Sequence, residues 1–257
     1  MPDLRTPTHA AALSAVRSAV PLDALVPRPH RRRLVRDATE WYFAEHAGGV
    51  ARGGTCVVVT AGPPGAGKST IMSSAIPDLA SRLVVDPDIA KAFLARWCVE
   101  HGIYSDILGS MLPDGQRMMP LELSPLLHTV STEVANAVRR EAFSAHMNVV
   151  AAATIASPGY GQRLLLSLAK AAYTALVIVS VETDKTTAQT RAIQRWWTGR
   201  TDGSYLGGRL VDPDVIDAAY PADGSPSLCR TNAKALADHI KAGETWIDTV
   251  HFVEYNL

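Results

Sequence analysis

Little in this chain of 257 residues points to disulfide staples, a zinc site or a membrane-spanning run. Cysteine is scarce: Cys56, Cys98 and Cys229 lie far apart and form no C-x-x-C pair. A small, odd count argues against a secreted disulfide framework and suits a reducing cytosol. The eight histidines include no H-x-x-x-H pair, so a protein-bound zinc is not expected. The longest apolar runs, such as Ala175 to Val179, are far too short to cross a bilayer. The N-terminus lacks a basic region followed by an apolar core, so no signal peptide is expected. An excess of one charge is missing too, since Lys+Arg and Asp+Glu both number 25. No global field then draws nucleic acid or an anionic membrane as the main partner. The expectation is a soluble, cytoplasmic protein, and its 47% hydrophobic content allows one substantial core.

What is present is a phosphate loop. Gly62-Pro63-Pro64-Gly65-Ala66-Gly67-Lys68-Ser69, followed by Thr70, fits G-x-x-x-x-G-K-[ST]. Glycines let the backbone curl so that several N–H groups point at one anion. Lys68 can reach the β- and γ-phosphates of ATP, and the Ser69 hydroxyl can complete a Mg²⁺ shell. The context agrees. Thr55 to Ala61 is a short β-branched run that reads as a buried parallel strand, and Ser69 to Ile76 can open a helix whose positive end faces the phosphates.

Along the rest of the chain, residues 1–54 read as a helical extension with breaks at Pro21, Pro27 and Pro29. Arg31 to His46 places Leu34, Val35, Ala38, Trp41 and Tyr42 at helical spacing. Further strands are expected at Leu83–Val85, Asn148–Ala153, Ala175–Val181 and Trp246–Val253. Helices fall between them, among them one from about Thr183 to Trp197 and one around Thr231 to Ala242, with an irregular crossover at 101–121, broken by Gly102, Gly109, Pro113, Gly115 and Pro120. Five strands alternating with helices predict a three-layer α/β fold over 55–257, with a mostly parallel sheet and helices on both faces. The ligand then lies beyond the carboxyl ends of the strands.

Three further clusters can carry chemistry. Asp86-Pro87-Asp88 ends the second strand; Asp86 suits an N-cap and Asp88 suits a base that accepts a proton from a substrate hydroxyl. Glu133 projects about 60° from Val130, at the edge of an apolar helix stripe, where a substrate ligand or a surface glutamate can sit. Arg195 lies beside the apolar face of its helix, and Arg209 follows Leu206-Gly207-Gly208. Glycines ahead of an arginine suggest a lid over about 198–212, and guanidinium forks suit phosphate oxygens.

Taken in order, Gly62 to Thr70, Val84 to Asp88, Ser131-Thr132-Glu133, Ile193 to Trp196 and Gly207 to Val211 resemble the zeta-toxin family of P-loop kinases. The resemblance implies Asp88 as catalytic base, Lys68, Arg195 and Arg209 on the transferred phosphate, and Glu133 on the acceptor. It implies transfer from ATP to the 3′-hydroxyl of the amino sugar in UDP-N-acetylglucosamine, and an antitoxin partner against the helices of residues 10–46. One position departs from the family pattern of glutamate, glycine, threonine: Thr154 keeps the threonine, whereas Ala152 stands where the acid is expected. Both count as acceptor-site positions on this alignment. Transfer to another hydroxyl (a dinucleotide cofactor, an antibiotic or a nucleoside) and a nucleotide-binding module with impaired turnover remain open alternatives.

Overall fold

Five strands build a single sheet: Cys56–Ala61 (β1), Leu83–Val85 (β2), Val149–Ala151 (β3), Ala175–Glu182 (β4) and Thr249–Asn256 (β5). The computed structural model describes residues 3–243 and 245–257. The strand order is β2-β3-β1-β4-β5, and every neighbouring pair is parallel. β1 takes the centre because its residues from Val57 onward are all buried, as a strand covered on both faces requires. Its register sets Val59 opposite Ala151 on one side and Ile178 on the other.

The helices are Arg5–Arg17 (α1), Leu22–Leu25 (α2), Arg28–His46 (α3), Lys68–Ala75 (α4), Pro87–Glu100 (α5), Ser105–Gly109 (α6), His128–Ser144 (α7), Gly159–Lys170 (α8), Lys185–Thr201 (α9), Pro213–Asp217 (α10) and Leu228–Lys241 (α11). The chain divides into a sheet unit, Glu40–Asp86, Asn136–Gln189 and Pro213–Leu257, and a helical unit, Met1–Thr39, Pro87–Ala135 and Thr190–Asp212.

In the sheet unit, α4 lays Ile71, Met72 and Ile76 against Val58, Val150, Val179 and Val181. Strand alternation turns Val57, Val59 and Ile178 the other way, and α11 packs on β4 and β5 with α8 beside it. The buried Tyr42 ties α3 to the end of β2: its hydroxyl donates to the Val84 carbonyl (2.7 Å) and accepts from the Asp86 amide (3.0 Å). In the helical unit, Leu13 and Val16 of α1, Leu94 and Cys98 of α5, Leu127, Val130, Trp196 and Leu210 share one core. The crossover at 101–121 is more ordered than its composition implies. It contains α6, an antiparallel bridge between Met111 and Arg117, and a 3-10 turn at Pro120–Leu123. Buried Arg200 closes it, bonding Glu122 through Nη1 (2.8 Å to each oxygen) and Asp114 through Nε (2.6 Å) and Nη2 (2.9 Å).

Several expected boundaries are corrected. Pro29 does not break the chain but sits in the first turn of α3, where an amide has no intrahelical acceptor to lose. β3 stops at Ala151 rather than 153, and the last strand is shifted to Thr249–Asn256. α9 runs through Gly199 to Thr201, because burial of Trp196 and Arg200 outweighs the poor helix propensity of one glycine. α11 begins at Leu228, capped by the Ser227 hydroxyl on the Arg230 amide (3.2 Å).

Candidate functional site

The phosphate loop belongs to the sheet unit and is shaped by close backbone contacts. A Cβ on Gly62 would meet the Val181 carbonyl oxygen at 2.4 Å. Gly65, at φ +84°, leaves room for the Ala188 carbonyl, which a Cβ would meet at 2.1 Å. Both positions therefore require glycine. The Gly62 amide donates to the Thr154 carbonyl (3.2 Å), which pins the start of the loop to the segment after β3. α4 begins at Lys68 behind Gly67 (φ +94°), and no side chain caps its first turn, so those amides face an incoming anion. Lys68 Nζ donates to the carbonyls of Gly62 (2.7 Å) and Pro63 (2.9 Å), which folds the ammonium back over the loop.

Ser69 and Thr70 are exposed at the start of α4. Among the described residues, no group of three or more His, Cys, Asp or Glu side chains could hold a metal. Mg²⁺ does not need one, since it binds few protein ligands and fills its octahedron with phosphates and water. The Ser69 hydroxyl fits that pattern.

Beyond β3, Thr60 Oγ1 accepts from the Ala153 amide (3.2 Å), and Thr154 Oγ1 accepts from Ala156 (3.4 Å). Ile155 adopts φ +57°, uncommon for a β-branched residue, and Asn232 Nδ2 holds it by donating to the carbonyls of Ile155 and Ala156 (both 2.9 Å). Ala152 and Thr154 thus lie in this held segment, not on one strand face. The Ala152 methyl packs beside the Val58–Ile71–Met72 cluster.

The helical unit gathers the charged candidates. Pro87 opens α5 with Asp88 in its first turn. Asp88 Oδ2 meets Arg209 Nη1 at 2.6 Å, and Oδ1 meets Lys91 Nζ at 3.1 Å. Burial would raise the Asp88 pKa, but Lys91 and Arg209, helped by Arg195, outweigh it and hold the carboxyl below its ordinary range. Arg209 Nε is buried and meets no acceptor among the described residues. His128, at the start of α7, is kept below its usual pKa by burial and by Lys91, against the pull of Asp88. Glu133 on the same helix pairs with Arg31 Nε (3.4 Å), and Arg31 Nη1 donates to the Asp23 carbonyl (2.6 Å). Arg195 itself is exposed.

Asp88, Arg195 and Arg209 are therefore grouped, Glu133 is tied to Arg31, and Lys68 to Thr70 form the loop of the other unit. Sequence reasoning missed Lys91, although its place three residues after Asp88 on a helix is a legible signal. It also missed Arg31 as the partner of Glu133, and Asn232.

A five-stranded parallel sheet in this order, with a phosphate loop between its central strand and the next helix, defines a P-loop kinase-like protein. The chain belongs to the zeta-toxin family of kinase-like phosphotransferases, whose model, described as Zeta toxin, matches residues 50–245. Among solved structures, the AvrRxo1-ORF1:-ORF2 complex with ATP is similar, with a TM-score of 0.58 at 14% identity over 88% of this chain. The chain spans 64% of that relative's length. The PezAT toxin-antitoxin system of Streptococcus pneumoniae gives a TM-score of 0.54 at 12% identity, covering 82% of this chain and 93% of the other. At these identities the likeness concerns the fold. No curated protein matches the sequence.

Proposed function

We propose that this chain transfers the γ-phosphate of ATP to a hydroxyl of a UDP-N-acetylamino sugar, in the manner of a toxin. The observation that carries the reading is the 2.6 Å pair of Asp88 with Arg209, which joins a candidate base to a candidate phosphate ligand. An ionised Asp88 accepts the proton of the acceptor hydroxyl as its oxygen attacks phosphorus. Lys68 and the loop amides hold the phosphates, and Arg209 and Arg195 neutralise charge on the transferred group. Glu133, Ala152 and Thr154 belong to the acceptor side in this reading. Ser69 would hold Mg²⁺, which when bound would supply charge neutralisation for the phosphates. Residues 198–212 would act as the lid of a kinase domain over 55–257, with 1–54 as its helical extension.

Incubation with ATP, Mg²⁺ and a panel of UDP-sugars, read by mass spectrometry, tests the proposal. A product heavier by one phosphate is expected, and Asp88→Asn should lose it. Protein that binds ATP yet labels no sugar nucleotide rejects the acceptor assigned here. The PezAT likeness supports a protein antitoxin as partner, and the helices of residues 10–46 are its proposed seat. Native mass measurement after co-expression with the adjoining reading frame checks this, and an unchanged lone chain counts against it.

A further inference from the structure

One face of the sheet is left partly open. Parallel sheets are normally covered on both faces; here α4 covers the face with Ile71, Met72 and Ala75, followed by Ile76 just past its end. Past the end of α4 lies a cavity of about 140 Å³, lined by Cys56, Val58, Ile76, Arg82, Val177 and Val253 among others. Val253 on β5 is 40% exposed there.

Arg82, just before β2, gives the cavity its charge. Its Nε and Nη1 are closed off from solvent and meet no acceptor among the described residues. A guanidinium keeps its proton at any working pH and only donates. Buried donors without partners are rare, and Arg82 as a whole is only partly buried and lines the cavity wall, so its guanidinium is the charge a ligand there would meet. Charge complementarity calls for a carboxylate at this wall.

Size decides what carries it. An apolar cavity of about 150 Å³ takes a benzene-sized group. Val253 is the one large exposed apolar residue among those lining the cavity, and Thr249 and His251 further along β5 are exposed polar groups. A protein interface needs roughly 800 Å² from each partner, far more than this compact pocket offers.

We propose that the pocket binds a small, free amphiphilic carboxylic acid. Its apolar body packs on Val58, Val177 and Val253, and its carboxylate accepts from the Arg82 guanidinium. The site shares β1 and α4 with the phosphate loop but none of that loop's residues.

Methyl NMR of valine-labelled protein, titrated with 3-phenylpropanoate and separately with 3-phenylpropan-1-ol, tests this. The acid should give saturable shifts at Val58, Val177, Val179 and Val253, with affinity about tenfold above that of the alcohol. Arg82→Met should remove that preference while the rest of the methyl spectrum stays native. Equal affinity of the intact protein for acid and alcohol overturns the proposal, as does no saturable shift with the acid up to about 10 mM. A preference that survives in Arg82→Met overturns it too. An acetylated, amidated leucine–glutamate–leucine tripeptide that binds more tightly than the acid overturns the free-acid assignment in favour of a partner chain.

Discussion

Burial pushes the Asp88 pKa upward, and Lys91, Arg209 and Arg195 more than offset that push. The folded-state pKa lies below the ordinary 3.8, so the favourable ionised form is fully present above that value. It is lost only as the pH falls through the lower folded value. Phosphoryl transfer should therefore show no acid limb from Asp88 between about pH 5 and 8. Lys91→Met removes the largest attraction, and a pH–rate profile should show the limb moved upward; an unmoved limb would mean that Lys91 does not act on Asp88. Asp88→Asn, which cannot take a proton, should lower transfer by about 10²- to 10⁴-fold while ATP binding, followed by calorimetry, is retained. Ala152 calls for a different forecast. Its methyl rests on an apolar cluster, so Ala152→Glu brings a carboxylate against Val58 and Met72. That should lower stability by roughly 1 kcal/mol and Tm by about 2–4 °C. A Tm at or above that of the unchanged protein would show that the added carboxylate finds polar company. At this scale the phosphate loop and Asp88 were legible because they are local patterns, whereas the Asn232 contact and the Arg31–Glu133 pair depend on tertiary placement that no spacing encodes.

Elements were legible where a run was short, apolar and bounded, as in β2, whose three residues match the expected strand. They were misread where packing overrules punctuation. Gly199 and Gly207-Gly208 resemble loop residues, yet they serve close approach. A Cβ on Gly208 would meet the Trp196 carbonyl oxygen at 1.8 Å, and one on Gly199 would meet Gly208 Cα at 2.8 Å. The segment carrying Arg209 thus lies directly on the end of α9. Gly208→Ala must push that segment away and weaken the Arg209–Asp88 pair. Urea unfolding should show a loss of about 1–3 kcal/mol, and transfer should fall with it. Gly203 supplies the comparison: at φ +82° a Cβ there meets nothing within 4 Å. Gly203→Ala then costs only the left-handed backbone, roughly 1–2 kcal/mol, and should leave transfer unchanged. Equal effects of the two substitutions on transfer would remove the positioning role given to the glycine contact.

On the scale of the whole molecule, equal numbers of acidic and basic residues conceal a very uneven use of charge. Most charges can be solvated, but Arg200 is 0% exposed and binds the 0% exposed Glu122 and the nearly buried Asp114. Trp196 Nε1 (2.8 Å) and the Met119 amide (2.7 Å) also donate to Glu122. This network holds the crossover to α9, and composition gave no hint of it, because desolvation is a property of the folded chain. Removing one member of a buried pair strands the other, at a cost of about 3–5 kcal/mol, whereas replacing both with apolar groups can be nearly neutral. Against a total stability of about 5–15 kcal/mol, one such loss is a large share. Arg200→Met should therefore lower the urea midpoint sharply. Glu122→Leu in the same chain should recover part of the loss, and Asp114, still unpaired, sets how much is not recovered. The double-mutant cycle should give a coupling energy of at least about 1 kcal/mol. A single Arg200→Met variant within about 0.5 kcal/mol of the parent would mean that water or rearranged side chains replace the guanidinium at little cost, and that the crossover is held by its apolar contacts instead.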